Sequence, residues 1–160
     1  MKKLITFSYD VTEWAKSINA QLPDGSEAIF FDLSEKVAYR LLMKRLVVVA
    51  EVEEPEYCLL IPRRTKGITF RDYLIGLTLD KCGGKVMVYC PERMRSVWWS
   101  RWLERLYYRN RTVLIADWRD YQRICRYTAK KNIFVCPEVN GQEITAEYFN
   151  RNLVSVLNKY

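Results

Sequence analysis

Between Tyr57 and Trp102 the chain reads YCLLIPRRTKGITFRDYLIGLTLDKCGGKVMVYCPERMRSVWWSRW, and this stretch leaves few choices of fold. Two strand-like apolar runs, Cys58–Ile61 and Lys85–Tyr89, flank one helical pattern from Phe70 to Lys81. Thr69 has the right chemistry for an N-cap, with Asp72 three residues on to complete a capping box. The Gly83-Gly84 pair ends the helix. A strand, a crossover helix and a second strand ending in Cys90-Pro91-Glu92 form a βαβ unit. In such sheets ligands sit just beyond the carboxyl ends of the strands.

The rest of the chain repeats this alternation. Lys3–Ser8 predicts the first strand, and Asp10 to Glu13 has capping-box spacing ahead of a stripe of Trp14, Ile18 and Leu22. Pro23-Asp24-Gly25 is a turn, because Pro presets φ and Gly accepts a positive one. Ala28–Phe31 predicts a second strand, apolar throughout as for one buried on both faces. Asp32 to Glu35 repeats the capping spacing and opens a helix through Val37, Leu41 and Leu42. Leu46–Val52 fits either a strand or the tail of that helix. After Pro91 a helical pattern runs from Arg93 to about Tyr108, with Trp98, Trp102, Leu103 and Leu106 as its core stripe. Thr112–Ala116 is a strand, Asp117 to Asp120 caps a helix toward Ala129, and Ile133–Val135 is a short strand before Cys136-Pro137-Glu138. Asn140-Gly141 is a turn, and Thr145–Asn158 predicts a last amphipathic helix.

The expected architecture is a single α/β domain over all 160 residues. It is a flavodoxin/Rossmann-like, doubly wound, mostly parallel sheet of about five strands with helices on both faces.

Composition excludes several chemistries. The chain has no histidine, so a Ser or Cys nucleophile lacks its usual base, and acid–base work falls to carboxylates, Tyr, Lys or Cys. Five scattered cysteines without a Cys-x-x-Cys pair argue against a disulfide framework and against zinc. No glycine-rich phosphate loop follows any strand, so no cofactor is expected. The absence of a long apolar run predicts no membrane span, and Met1-Lys2-Lys3 leads into a strand pattern, so a cytoplasmic location is the expectation.

On the sheet reading, Ser8, Tyr9, Asp10, Asp32, Cys90, Glu92, Asp117 and Glu138 gather near the carboxyl ends of strands. Asp10, Asp32 and Asp117 are each also placed to cap the next helix, an interaction that contributes about 1 kcal/mol. Cys90 and Cys136 read best as buried, inert thiols, with no histidine to activate them.

The runs EYCLLIPRRTKGITFRDYLIGL and GGKVMVYCPE resemble the nucleoside 2-deoxyribosyltransferase-like superfamily over about forty central residues. That resemblance implies a flavodoxin-like fold, a nucleoside or nucleotide at the strand ends, and cleavage or exchange of an N-glycosidic bond by a carboxylate nucleophile. Carried forward from Ile68-Thr69-Phe70, the nucleophile position falls on Asp72. Carried back from Gly76-Leu77, it falls on Leu74, which has no such chemistry. The implied ligand-binding set is Ser8, Tyr9, Asp10, Asp32, Arg63, Thr69 and Glu92. Lys2 to Trp14 is also similar to the opening of TIR domains, another flavodoxin-like family that acts on nicotinamide N-glycosidic bonds.

The net charge of +7 is unevenly placed. Residues 1–92 carry 13 basic and 13 acidic side chains, whereas residues 93–131 carry 11 and 3. With no catalytic carboxylate, the same fold would act through this segment on nucleic acid or a protein partner, a homo-oligomer included. Arginines contact phosphates and exposed rings stack on bases. The candidates are Arg95, Trp99, Arg101, Arg105, Tyr108 and Arg109, with Tyr107 beside them.

Overall fold

The computed structural model describes residues 3–9, 27–62, 67–90, 98–115 and 117–135, with backbone alone at Ala28, Trp99 and Val135. The helix expected after Asp10 and the final helix over Thr145–Asn158 lie outside these residues. So do Asp10, Arg63, Glu92, Arg95, Cys136 and Glu138.

Six strands, β1 (Lys3–Ser8), β2 (Glu27–Asp32), β3 (Tyr57–Ile61), β4 (Lys85–Cys90), β5 (Thr112–Ile115) and β6 (Ile133–Val135), form one sheet in the order β2-β1-β3-β4-β5-β6. Every pairing is parallel. The strands are apolar without alternation because both faces are covered. Ile5, Phe7, Leu60, Val88 and Val113 meet the helices on one face. Their neighbours Leu4, Leu59, Met87, Tyr89 and Leu114 alternate to the other face and are equally buried.

Four helices connect these strands among the described residues: α1 (Tyr39–Glu53), α2 (Phe70–Lys81), α3 (Arg101–Tyr108) and the single-turn α4 (Tyr121–Ile124). α1 packs on α2, and α2 on α3. The boundaries of α2 are those expected, since Thr69 and Asp72 form a complete capping box and Gly83 takes φ 89° just beyond the end. The strand order makes β1 the turning point. The chain leaves β1 toward β2 on one side and leaves β3 toward β4 on the other, opening a crevice between their carboxyl ends.

Several expectations are corrected. Leu46–Val52 is helical, continuing α1 to Glu53. Leu42, Leu46 and Ala50 recur every four residues as its buried stripe, while Val48 and Val52 are exposed. Asp32 does not cap that helix, which starts seven residues later. It accepts a hydrogen bond from Ser34 N (2.7 Å), while Glu35 pairs with Arg45. The helix after Asp117 does not reach Ala129. Asp117 caps a 3-10 turn by accepting from Arg119 N (2.9 Å), and α4 ends at Ile124. Thr128 Oγ1 then donates to Arg111 O (3.0 Å), which draws the chain back toward β6.

One polar group is built into the packing of α2 on α3. Arg111, only 7% exposed, donates to Tyr107 O (2.6 Å) and to Asp80 Oδ2 (2.5 Å), and its guanidinium lies over the Tyr107 ring. It passes directly beside Gly76, where an added Cβ would meet Arg111 Nη1 at 2.7 Å. In an isolated helix Gly→Ala stabilises by about 1 kcal/mol. Here the displaced guanidinium loses bonds of the charged kind, each contributing about 1.5–3 kcal/mol. Gly76→Ala should therefore lower stability to urea by about 1 kcal/mol, and should become neutral or stabilising once Arg111 is replaced by Ala.

Candidate functional site

The sheet brings Tyr9 and Asp72, 63 residues apart in sequence, into direct contact at the β1/β3 crevice. Tyr9 follows the last residue of β1, and its hydroxyl donates to Asp72 Oδ1 at 2.9 Å. The other oxygen, Oδ2, accepts from Thr69 N (2.8 Å) and Thr69 Oγ1 (2.7 Å), while Asp72 N donates to Thr69 Oγ1 (3.2 Å). Asp72 is thus 6% exposed yet satisfied at both oxygens, in the first turn of α2 where the helix dipole favours a negative charge. The two oxygens differ in duty. Oδ2 is held by the capping box, and Oδ1 has one donor and a remaining lone pair.

Leu33, Leu60, Ile61, Pro62, Ile75 and Tyr107 complete the lining of this crevice, which encloses about 160 Å³ of unfilled space counting its open mouth. A small-molecule pocket typically has about 300–1,000 Å³. A ligand here therefore lies across the mouth and does not enter the crevice whole.

Arg71 stands at that mouth and was not singled out by sequence reasoning. Its guanidinium lies 5.8 Å from the Tyr9 ring centroid, and Nη2 reaches Leu33 O at 3.4 Å. Nε is buried without a hydrogen-bond partner. A cation in the first turn of a helix opposes the dipole, and that misfit is the one signal the sequence offered.

The remaining expected residues divide cleanly. Ser8 is buried at the end of β1, pairs in register with Asp32 and Ile61, and accepts from Leu33 N (2.7 Å) through its carbonyl. Thr69 belongs to the Asp72 cluster. Asp32 is exposed at the carboxyl end of β2. Leu74, the other alignment of the nucleophile position, lies within α2 and offers only its carbonyl, to Thr78 Oγ1 (2.9 Å). Asp10, Arg63 and Glu92 are outside the described residues.

A second polar cluster lies where β4 and β5 end. Glu104, fully buried on α3, binds Arg123 Nη1 through Oε2 (2.9 Å), while Oε1 has no partner. Arg123 also holds Asp120 Oδ1 (2.9 Å) and approaches Cys90 Sγ (3.5 Å). Burial pushes the Cys90 thiol up to about 11 despite the nearby Arg123, and burial pushes Cys58 up to about 12. Both are therefore inert thiols. No group of metal-ligating residues occurs among those described.

The outward face of α3 reverses one expectation. Trp98 and Trp102 are 79% and 55% exposed and do not form the core stripe. Leu103, Glu104, Tyr107 and Tyr108 fill that role, because Glu104 is neutralised by Arg123 and buried along with them. Tyr108 and Tyr107 are accordingly not available at the surface. Tyr108 meets Tyr107 edge-on (centroids 5.1 Å) and stacks on Tyr127 (6.3 Å). Arg101, Arg105 and Arg109 are exposed as expected, beside the two tryptophans.

The thiols give a pH-dependent outcome. An exposed cysteine ionises near 9, so the buried, protonated thiols stabilise the fold fully below that pH. That contribution is lost as pH rises from 9 through about 11 for Cys90 and about 12 for Cys58. Tm should fall across this window, less steeply in Cys58→Ala, and iodoacetamide at pH 8 should leave both thiols unmodified until the protein is unfolded. In comparisons with known proteins, the sequence matches no family model and no curated protein.

Proposed function

We propose that the protein binds a nucleoside or nucleotide across the mouth of the β1/β3 crevice and cleaves or exchanges its N-glycosidic bond with Asp72 as nucleophile. The observation that carries this reading is the Tyr9 hydroxyl donating to Asp72 Oδ1 at 2.9 Å at the carboxyl edge of the sheet, where α/β folds of this order take ligands. A carboxylate nucleophile has to be ionised and aimed. Thr69 fixes Oδ2, which leaves Oδ1 as the attacking oxygen, and Tyr9 sets its direction. In the step proposed, Oδ1 bonds to the anomeric carbon as the carbon–nitrogen bond breaks. The base departs with that electron pair and takes up a proton. Water or a second base then releases the sugar from Asp72. Phe70 and Tyr73, with rings 6.1 Å apart in the first turn of α2, supply apolar surface near the mouth, Phe70 being exposed.

Base release from deoxynucleosides and their monophosphates tests the reading. Asp72→Asn retains an oxygen for the Thr69 cap but cannot form a stable glycosyl ester, so turnover should fall by at least about a hundredfold. Tyr9→Phe removes one hydrogen bond to a charged group and should cost about ten- to a hundredfold in turnover. Turnover unchanged in Asp72→Asn would contradict the assignment.

A further inference from the structure

We infer that the outward face of α3, with the turn that leads into it, is a binding surface for single-stranded nucleic acid, separate from the Asp72 crevice. At 3.6 residues per turn Arg101, Trp102, Arg105 and Arg109 fall within an arc of about 100°, and Trp98 lies four residues before Trp102. The strip thus alternates two large rings with three guanidiniums, all exposed. Aromatic rings stack on bases whatever their identity, and arginines track the backbone phosphates between them.

The charge is not cancelled locally. The segment 93–131 has three carboxylates, and each is already engaged. Glu104 is buried against Arg123, Asp120 is bound to the same Arg123, and Asp117 is held by Arg119. The internal ion pairs therefore use up every negative charge of the segment and leave the α3 arginines facing solvent. A second copy of this chain docked face to face would bring these cations together, and like charges at an interface are costly. A base-bearing polyanion matches both halves of the strip, the charge and the rings.

Titration with a fluorescein-labelled (dT)15 oligonucleotide, read by anisotropy and by quenching of tryptophan emission, tests this. The result expected is binding that weakens with salt, with Trp98→Ala and Trp102→Ala each lowering affinity about tenfold. Arg101→Glu with Arg105→Glu should lower the log–log salt slope by about 1. All four side chains are exposed, so circular dichroism should show the variants folded, and base release by the Asp72 site should be unchanged in them. Equal binding of heparin and (dT)15, without tryptophan quenching, would overturn the base-stacking claim. So would absence of (dT)15 binding at low salt. Concentration-dependent self-association abolished by Trp102→Ala would overturn it in favour of a protein interface.

Discussion

The Asp72 carboxylate is the point at which the chain's two halves of the sheet are tied together. One oxygen closes the capping box that starts α2, and the other receives the Tyr9 hydroxyl as the chain leaves β1. The contact costs little in desolvation because every donor it needs is supplied at once, by one main-chain amide and two hydroxyls. A buried carboxylate lacking any of these would be a burden on the fold. Here it fixes where β1 ends relative to where α2 begins, and so fixes the shape of the crevice between β1 and β3. Structure and proposed chemistry place opposite demands on that group. The capping box takes Oδ2, and only the asymmetry between the two oxygens leaves Oδ1 for a reaction.

Charge is handled by the same economy on the other half of the molecule. Arg111 and Arg123 are drawn inside and matched, one to Asp80 and the Tyr107 carbonyl, the other to Glu104, Asp120 and the edge of Cys90. Burying a matched pair gains little net stability over apolar packing. It does make the partners mutually dependent, so that Gly76, Arg111 and Asp80 stand or fall as one unit. The consequence for the surface is that the acidic residues of this segment are spent internally. The arginines of α3 remain outside with Trp98 and Trp102.

Elements whose signals are local were legible in the sequence. Thr69, Asp72 and Gly83 mark both ends of α2, and the unbroken apolar runs Lys3–Ser8 and Tyr57–Ile61 announce strands covered on both faces. What escaped depends on partners distant in sequence. Trp98 and Trp102 look like core because they are apolar and one turn apart. Glu104 looks like surface because nothing nearby in sequence reveals Arg123, 19 residues on. Exchanging those two assumptions rotates α3 and sends Tyr107 and Tyr108 inward. The helical Leu46–Val52 was ambiguous for a different reason. Its β-branched residues favour a strand while its four-residue period favours a helix, and packing on α2 decides the matter. Tyr9 and Asp72 were each recognised as candidates, but their meeting is a property of strand order, which no local pattern encodes.

The contact between Tyr9 and Asp72 is measured most directly by a double-mutant cycle on unfolding free energy. It compares the wild type, Tyr9→Phe, Asp72→Ala and the double variant. Loss of the capping box affects both Asp72 variants equally and cancels, isolating the contact between β1's exit and α2's first turn. The account predicts a coupling of at least about 1 kcal/mol, as expected for a hydrogen bond to a charged group. Additivity to within about 0.3 kcal/mol would mean that the two residues do not meet in solution, and would remove the basis for a site at this crevice.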